Sequence, residues 1–236
     1  MERLQKIIAK SSEYSRRKAE QLIVEGRVKV NGKVVLELGT KASFNDEILI
    51  DGNVITRQEK VYYLLNKPIK TICSTNDEHD RPTVVDLVHD DNVYPVGRLD
   101  YYTSGLLLLT NDGALANGLM HPSKEVLKTY RVKVDSTLEQ EDIRQLIKGV
   151  DIGDYITKKA QVSQRDATTF EITISEGKNR QIRRMLETLG YEIVNLKRIK
   201  YAIFDIELEK IKPGQSRLLH PKEIKQLYNL SGISNE

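Results

Sequence analysis

Asp100 is where reaction chemistry first becomes legible in this chain. It lies in the stretch Tyr94-Pro95-Val96-Gly97-Arg98-Leu99-Asp100, two residues after Arg98, with Thr103, Ser104 and Gly105 close behind. An arginine near a carboxylate favours its ionised form, which a nucleophile or a general base requires. The same residues also fit a structural turn, because Asp commonly hydrogen-bonds to its own turn backbone. Two other groups invite a role. One is Tyr130, in Lys128-Thr129-Tyr130-Arg131-Val132; the other is the run Asn179-Arg180-Gln181-Ile182-Arg183-Arg184. By residue type alone, Tyr130 reads as a half-buried strand tyrosine and the adjacent arginines as a solvated helix face. There is no Gly-rich phosphate loop and no close His/Cys ligand cluster, so no cofactor and no metal are expected. His79, His89, His121 and His220 are scattered and read as surface or capping residues.

The elements around these residues must hold them in place. Apolar runs at 94–96 and 106–109 read as strands flanking the Asp100 turn, which therefore sits at the edge or mouth of a sheet. Further strands are expected at 62–67, closed by Pro68, and at 128–134, 160–163, 170–174, 193–199 and 203–208. Helices are expected at 114–120, 138–147, from about 181 until Gly190 ends it, and 221–230. The charged, turn-rich segment 74–82 reads as a mobile loop near the ligand. Helices fall irregularly among strands, without the strict alternation of a doubly wound sheet. The large domain is therefore α+β, with a mostly antiparallel or mixed sheet flanked by helices.

Residues 1–60 read as a separate small domain, with the polar stretch 56–60 as its linker to a second domain at 61–236. Leu4, Ile7 and Ile8 follow helical spacing. Glu13-Tyr14-Ser15 breaks the pattern, and Ser15 can cap a second helix running from Arg16 to Glu25, which Gly26 ends. Residues 27–30 alternate like a strand, Asn31-Gly32 is a hairpin turn signal, and 46–52 gives another strand and turn.

Composition bounds the partners. The chain has 236 residues and a net charge of only +3, unevenly spread. Residues 1–33 hold nine Lys/Arg against four Glu, and residues 176–200 hold seven against three. Two basic patches on an otherwise acidic chain suit a polyanion met at two places, although two solvated helix faces would look the same. The single cysteine, Cys73, can form no intramolecular disulfide, the N-terminus is too polar for a signal peptide, and no apolar run approaches membrane-spanning length. A cytoplasmic monomer without a membrane partner is expected.

Gly97-Arg98-Leu99-Asp100 followed by Thr103-Ser104-Gly105-Leu106-Leu107-Leu108-Leu109-Thr110-Asn111-Asp112-Gly113 resembles the catalytic motif of the RsuA/RluB group of pseudouridine synthases, and Tyr62-Tyr63-Leu64-Leu65-Asn66-Lys67-Pro68 resembles the opening of their catalytic domain. The resemblance implies that Asp100 is the catalytic residue and that Tyr130 stacks on the flipped uracil. It also implies that Ile182 packs on the base while Arg183 pairs with Asp100. Arg98 would fill the gap left by the extracted nucleotide or bind a flanking phosphate. Arg180 and Asn179 would bind substrate. At the other end, Ser15-Arg16-Arg17-Lys18-Ala19-Glu20 with Gly26-Arg27-Val28-Lys29-Val30-Asn31-Gly32 resembles the RNA-binding domain of ribosomal small-subunit protein four. That likeness implies RNA contacts by Ser15, Arg16, Arg17, Lys18, Arg27, Lys29 and Asn31. Arginines at a helix start oppose its dipole, which makes a purely structural role for Arg16 and Arg17 less natural.

The expected activity is isomerisation of a specific uridine in ribosomal RNA, in a structured stem-loop. Asn179-Arg180 and Leu119-Met120-His121-Pro122-Ser123 resemble the branch of the group acting on large-subunit (23S) RNA. A small-subunit RNA target and a non-catalytic RNA-binding assembly factor are the competing readings. The presence of Asp100, Tyr130 and Arg183 together speaks against the last, since a pure binder needs no such set.

Overall fold

The computed structural model describes residues 1–12, 14–56 and 58–233. The chain divides into two units, Met1–Lys60 and Val61–Glu236. No helix among the described residues is long and apolar enough to cross a membrane.

In the first unit, β1 (Glu2–Arg3) leads into α1 (Leu4–Ser11), and α2 (Arg16–Val24) follows. The apolar residues at helical spacing, Leu4, Ile7 and Ile8 in α1 and Ala19, Leu22 and Ile23 in α2, are all buried in one cluster with Val28, Ala42, Ile48 and Ile50. Ser15 caps α2 by accepting from the Lys18 N–H at 3.2 Å, a contact of the kind worth about 1 kcal/mol. The chain then forms β2 (Val28–Val30), β3 (Lys33–Val34), β4 (Lys41–Ala42), β5 (Ile48–Ile50) and β6 (Asn53–Val54). Asn31 and Gly32 both take positive φ, 50° and 78°, as a two-residue hairpin turn of this hand requires. A four-stranded sheet of order β3-β2-β5-β6 results, while β4 pairs with β1. Glu13, in the break between the helices, and Arg57, in the polar stretch 56–60, lie outside the described residues.

The second unit contains β7 (Tyr62–Lys67), β8 (Tyr94–Pro95), β9 (Ser104–Thr110), α3 (Gly113–Met120), β10 (Lys128–Val134), α4 (Gln140–Lys148), β11 (Gln161–Gln164), β12 (Thr169–Ile174), α5 (Gln181–Thr188), β13 (Ile193–Tyr201), β14 (Phe204–Asp205), α6 (Ile206–Glu209), β15 (Ser216–Leu218) and α7 (Pro221–Ser231). The main path of its sheet runs β11-β12-β10-β13-β9-β7-β15, with β14 on β13 and β8 on β9. Its pairs are antiparallel except β9 with β13, so the sheet is mixed.

Leu106 to Leu109 explain why the sheet is covered on both faces. Successive strand side chains point to opposite faces, so an unbroken apolar run buries both. Leu107 and Leu109 join a core with Leu65, Ile182, Met185 and Leu186, beneath α5. Leu106 and Leu108 join a second core with Leu64, Leu115, Leu119 and Leu227, beneath α3 and α7. The parallel pair brings Gly105 opposite Arg198. Gly105 has φ +112°, and a Cβ there would stand 2.1 Å from the Arg198 carbonyl oxygen. Only glycine lets these strands meet.

The structure corrects one segment. The expected strand at 203–208 is the two-residue β14 followed by the helical turn α6. Asp205 accepts from the Glu207 N–H at 3.0 Å and so starts the turn, and Glu207 and Glu209 suit a helix N-terminus. The loop 74–82 is tied to itself, with the Asp77 carboxylate accepting from the His79 and Arg81 N–H groups and from the Arg81 guanidinium.

Candidate active site

The backbone entering the Asp100 loop fixes which side chains point where. The Val96 N–H donates to the Leu108 carbonyl at 2.7 Å and prolongs the β8–β9 ladder, and Gly97 then turns with φ +77°. Leu99 is buried in the core and its N–H donates to the Cys73 sulfur at 3.3 Å. With Leu99 turned inward, its neighbours Arg98 and Asp100 face outward. The Asp100 carbonyl accepts from the Thr103 N–H at 3.0 Å, closing a tight turn.

Lys67, at the end of β7, holds that turn from below. Its side chain is completely buried. The ammonium donates to the carbonyls of Pro68 at 3.0 Å, Asp100 at 3.2 Å and Thr103 at 2.9 Å. Burial pushes its pKa down to about 8, partly offset by the negative charge of Asp100. A lysine in this position gives the loop a rigid floor instead of presenting charge to solvent.

Arg183 approaches Asp100 from α5. Its Nε donates to Asp100 Oδ2 at 3.3 Å, and its Nη2 donates to Thr103 Oγ1 at 3.1 Å and to the Tyr102 carbonyl at 3.3 Å. The Arg183 side chain is only 14% exposed, whereas Asp100 is 41% exposed. The carboxylate is therefore oriented from one side and open on the other. The adjacent Arg184, about 100° further round the helix, turns away to the Asp154 carboxylate and the Ile152 carbonyl. Ile182 is buried at the foot of α5. Before it, Arg180 takes the left-handed conformation with φ 49° and pairs with Glu187 at the surface, at 3.2 Å.

One cavity of about 840 Å³ opens beside the Asp100–Arg183 pair, lined among others by Arg98, Asp100, Tyr130, Asn179, Arg180, Ile182 and Arg183. The seven residues that the motifs single out in the catalytic unit thus converge on one space. Tyr130, 8% exposed, reaches it from β10. Cys73 also lines it, but burial pushes the thiol pKa up, which leaves a poor nucleophile at neutral pH.

Comparison with known proteins decides the family. Residues 61–188 match the RNA pseudouridylate synthase model. The chain is 46% identical over 239 residues to the "Ribosomal large subunit pseudouridine synthase B" of Bacillus subtilis, covering 98% of this chain and 97% of that one. This chain belongs to the RNA pseudouridine synthase family. Residues 2–48 match the S4 domain. The Salmonella typhi "Dual-specificity RNA pseudouridine synthase RluF" is 38% identical, with 99% of this chain and 81% of that protein covered. A solved structure titled "Crystal structure of pseudouridylate synthase" superposes with a TM-score of 0.71 at 31% identity, covering 96% of this chain and all of the other.

In the S4 unit of the synthase, Arg16, Arg17 and Lys29 are exposed, and Lys18 is partly so. Ser15 is committed to its cap. Arg27 is held by Asp51 through two bonds of 2.8 and 2.6 Å and by Glu25 at 3.2 Å. Asn31 bridges Asp46 and the Glu47 N–H. These last two residues therefore also brace the hairpin.

Lys67 beneath the Asp100 loop, and Thr103, Lys128 and Arg198 in the cavity wall, were assigned no role by sequence reasoning. Lys67 stood in the Asn66-Lys67-Pro68 wording, yet only the proline was given a structural meaning. Lys128 stood two residues before Tyr130, on the same face of its strand. Arg198 carried no signal: in an apolar strand an arginine reads as an edge or solvent-facing residue.

Proposed function

We propose that this synthase isomerises one uridine of large-subunit (23S) ribosomal RNA, with Asp100 as the catalytic carboxylate acting on a nucleotide flipped out of its helix. The observation that carries the reading is the Arg183–Asp100 pair on the wall of a cavity that Tyr130 and Ile182 also line. The reaction breaks the bond from ribose C1′ to uracil N1 and joins C1′ to C5, with no net gain or loss of atoms. It therefore needs an oriented carboxylate, a slot for a planar base, and cover from water.

The side chains divide that work. Arg183 holds the Asp100 carboxylate in one orientation through a charge-assisted hydrogen bond. Tyr130 and Ile182 offer an aromatic and an aliphatic surface between which uracil can be held. Arg98, exposed at the mouth, is suited to the space the base vacates or to a flanking phosphate; extraction costs a few kcal/mol. The exposed Arg16, Arg17 and Lys29 of the S4 unit suit adjacent phosphates of an RNA helix. The large-subunit target is supported by 46% identity, over nearly the full length of both chains, to the Bacillus subtilis protein of that name.

The test is carbodiimide primer extension on ribosomal RNA incubated with the wild type or with Asp100→Asn. A stop at a large-subunit uridine with the wild type alone is expected. A stop confined to small-subunit RNA overturns the target, and no stop in either RNA overturns the activity.

A further inference from the structure

Two cations in the cavity wall of the synthase have no acidic partner. Lys128 and Arg198 both line the cavity, on adjacent antiparallel strands where Lys128 faces Tyr201 and Tyr130 faces Arg198 across a bulge. The Lys128 ammonium donates only to the Val126 carbonyl, at 2.8 Å. Arg198 is 2% exposed; its Nε donates to the Leu106 carbonyl at 2.7 Å and its guanidinium lies 4.5 Å from the centre of the Tyr201 ring. Its Nη2 is enclosed and has no hydrogen-bond partner among the described residues. No carboxylate lies within ion-pair distance of either cation among the described residues. Glu176, the acidic group whose field reaches Lys128, is engaged with Gln181 Nε2 at 2.7 Å and the Lys158 N–H at 2.9 Å.

A buried guanidinium and a half-buried ammonium, without an anion between them, oppose folding. Burial and the Arg198 charge together push the Lys128 pKa down to about 8. An arrangement that costs stability and borders a reaction cavity points to function, and the missing component is negative charge. The uracil ring supplies it during the reaction. If the bond between C1′ and N1 breaks first, the electron pair stays on the base and its charge spreads to the carbonyl oxygens O2 and O4. If Asp100 instead adds to the ring, the charge again resides on a carbonyl oxygen. Each route places an oxyanion on uracil that the ground state lacks. A preorganised cation aimed at such an atom stabilises the transition state selectively.

Resting on the Asp100 reading above, we propose that Lys128 and Arg198 form the positive pole that receives the negative charge developing on the uracil carbonyl oxygens. Arg183 orients the carboxylate, and the Lys128–Arg198 pair serves the departing base. Tyr201 beneath Arg198 is fully buried and its hydroxyl is pushed up to about 12, so it remains neutral and fixes the guanidinium by stacking.

The experiment uses the full-length protein and an RNA stem-loop bearing either uridine or 5-fluorouridine at the modified position. Single-turnover loss of that nucleoside is read by nuclease digestion and mass spectrometry at saturating RNA. Fluorine acidifies the ring and stabilises its anion, so the fluorinated base depends less on an external cation. Lys128→Met is expected to slow the uridine reaction roughly 100-fold, the scale of removing one oxyanion donor. The same variant should slow the 5-fluorouridine reaction roughly 10-fold or less, and Lys128→Arg should keep most of both rates. Arg198→Lys provides the matching test at the second position, while Lys128 is near enough to solvent to be replaced without disturbing the core. Equal slowing of both bases by Lys128→Met overturns the proposal, since a merely structural lysine would act on both alike. So does weaker RNA binding with an unchanged saturating rate, which would make the pair a phosphate site. A wild type that converts neither base removes the Asp100 reading itself and this inference with it.

Discussion

The two units of the synthase use positive charge in opposite ways. In the S4 unit, Arg16, Arg17 and Lys29 stand in solvent, where each guanidinium or ammonium keeps its hydration and takes no fixed geometry. In the catalytic unit, Lys67 and Arg198 are essentially buried and Arg183 nearly so, each fixed by named acceptors. Exposed cations release counterions when they meet phosphates, which gives affinity and salt dependence without precise placement. Buried cations lose solvation and return it as orientation, because a charge in a dry, preorganised site acts strongly on what lies beside it. The contrast predicts that substitutions in the cavity change rate and those on the S4 surface change affinity.

Asp100→Asn should give the largest effect. The substitution keeps the shape and removes the charge, so single-turnover rate should fall below about 1% of wild type, the scale on which transition-state charges are lost. RNA affinity should stay within about twofold, because this one site carries few phosphate contacts. A filter-binding and turnover assay on one preparation measures both, and residual turnover above that level would remove Asp100 from the reaction.

Arg183 ranks next and separates orientation from general positive charge. Arg183→Ala removes the bond to Asp100 and those to Thr103 and Tyr102. Loss of a charged hydrogen bond costs about 1.5–3 kcal/mol, a fall in saturating rate of roughly 10- to 100-fold. Arg183→Lys should recover part of the rate, since charge survives without the forked geometry. Arg180→Ala should leave the saturating rate near wild type and weaken only the apparent KM, because Arg180 is exposed and shares its charge with Glu187. If Arg180→Ala slows the chemical step and Arg183→Ala does not, the partner of Asp100 has been misassigned.

How much of this was legible in the sequence follows the same division. Short-range patterns were readable: the 3.6-residue spacing of Leu4, Ile7 and Ile8, the Ser15 cap, the Asn31-Gly32 turn and the unbroken leucines of β9. The motif around Asp100 carried the family. The mixed sheet was expected only in outline, because the single parallel pairing of β9 with β13 joins residues 105 and 198 and leaves no local trace beyond Gly105. β15 was not foreseen: three residues, Ser216-Arg217-Leu218, become a strand because β7 presents an edge for them. Asp205 hid a helical turn inside an apolar stretch. Arg198 was illegible for a deeper reason. Its burial is a property of three strands and a stacked tyrosine assembled from across the chain, and no window of sequence contains them all.

The smallest expected effect sharpens the comparison from the S4 side. Arg16 and Arg17 begin α2, where their charges oppose the helix dipole and Ser15 already supplies the cap. Replacing both with alanine should therefore leave α2 intact or slightly more stable, so any loss of function is not a folding defect. If each arginine meets one phosphate, the double variant loses two counterion-releasing contacts. The slope of log affinity against log salt should flatten by roughly 1.4–1.8, the range between single-stranded and duplex polyanions. Affinity at physiological salt should fall severalfold and the saturating single-turnover rate should not move, since Asp100 and its partners are untouched. Arg27→Ala is the internal control: its guanidinium is held by Asp51 and Glu25, so the slope should change less while thermal stability falls. A double variant whose salt slope matches wild type would mean that these exposed arginines never meet phosphate, and that the S4 unit contributes through its shape instead of its charge.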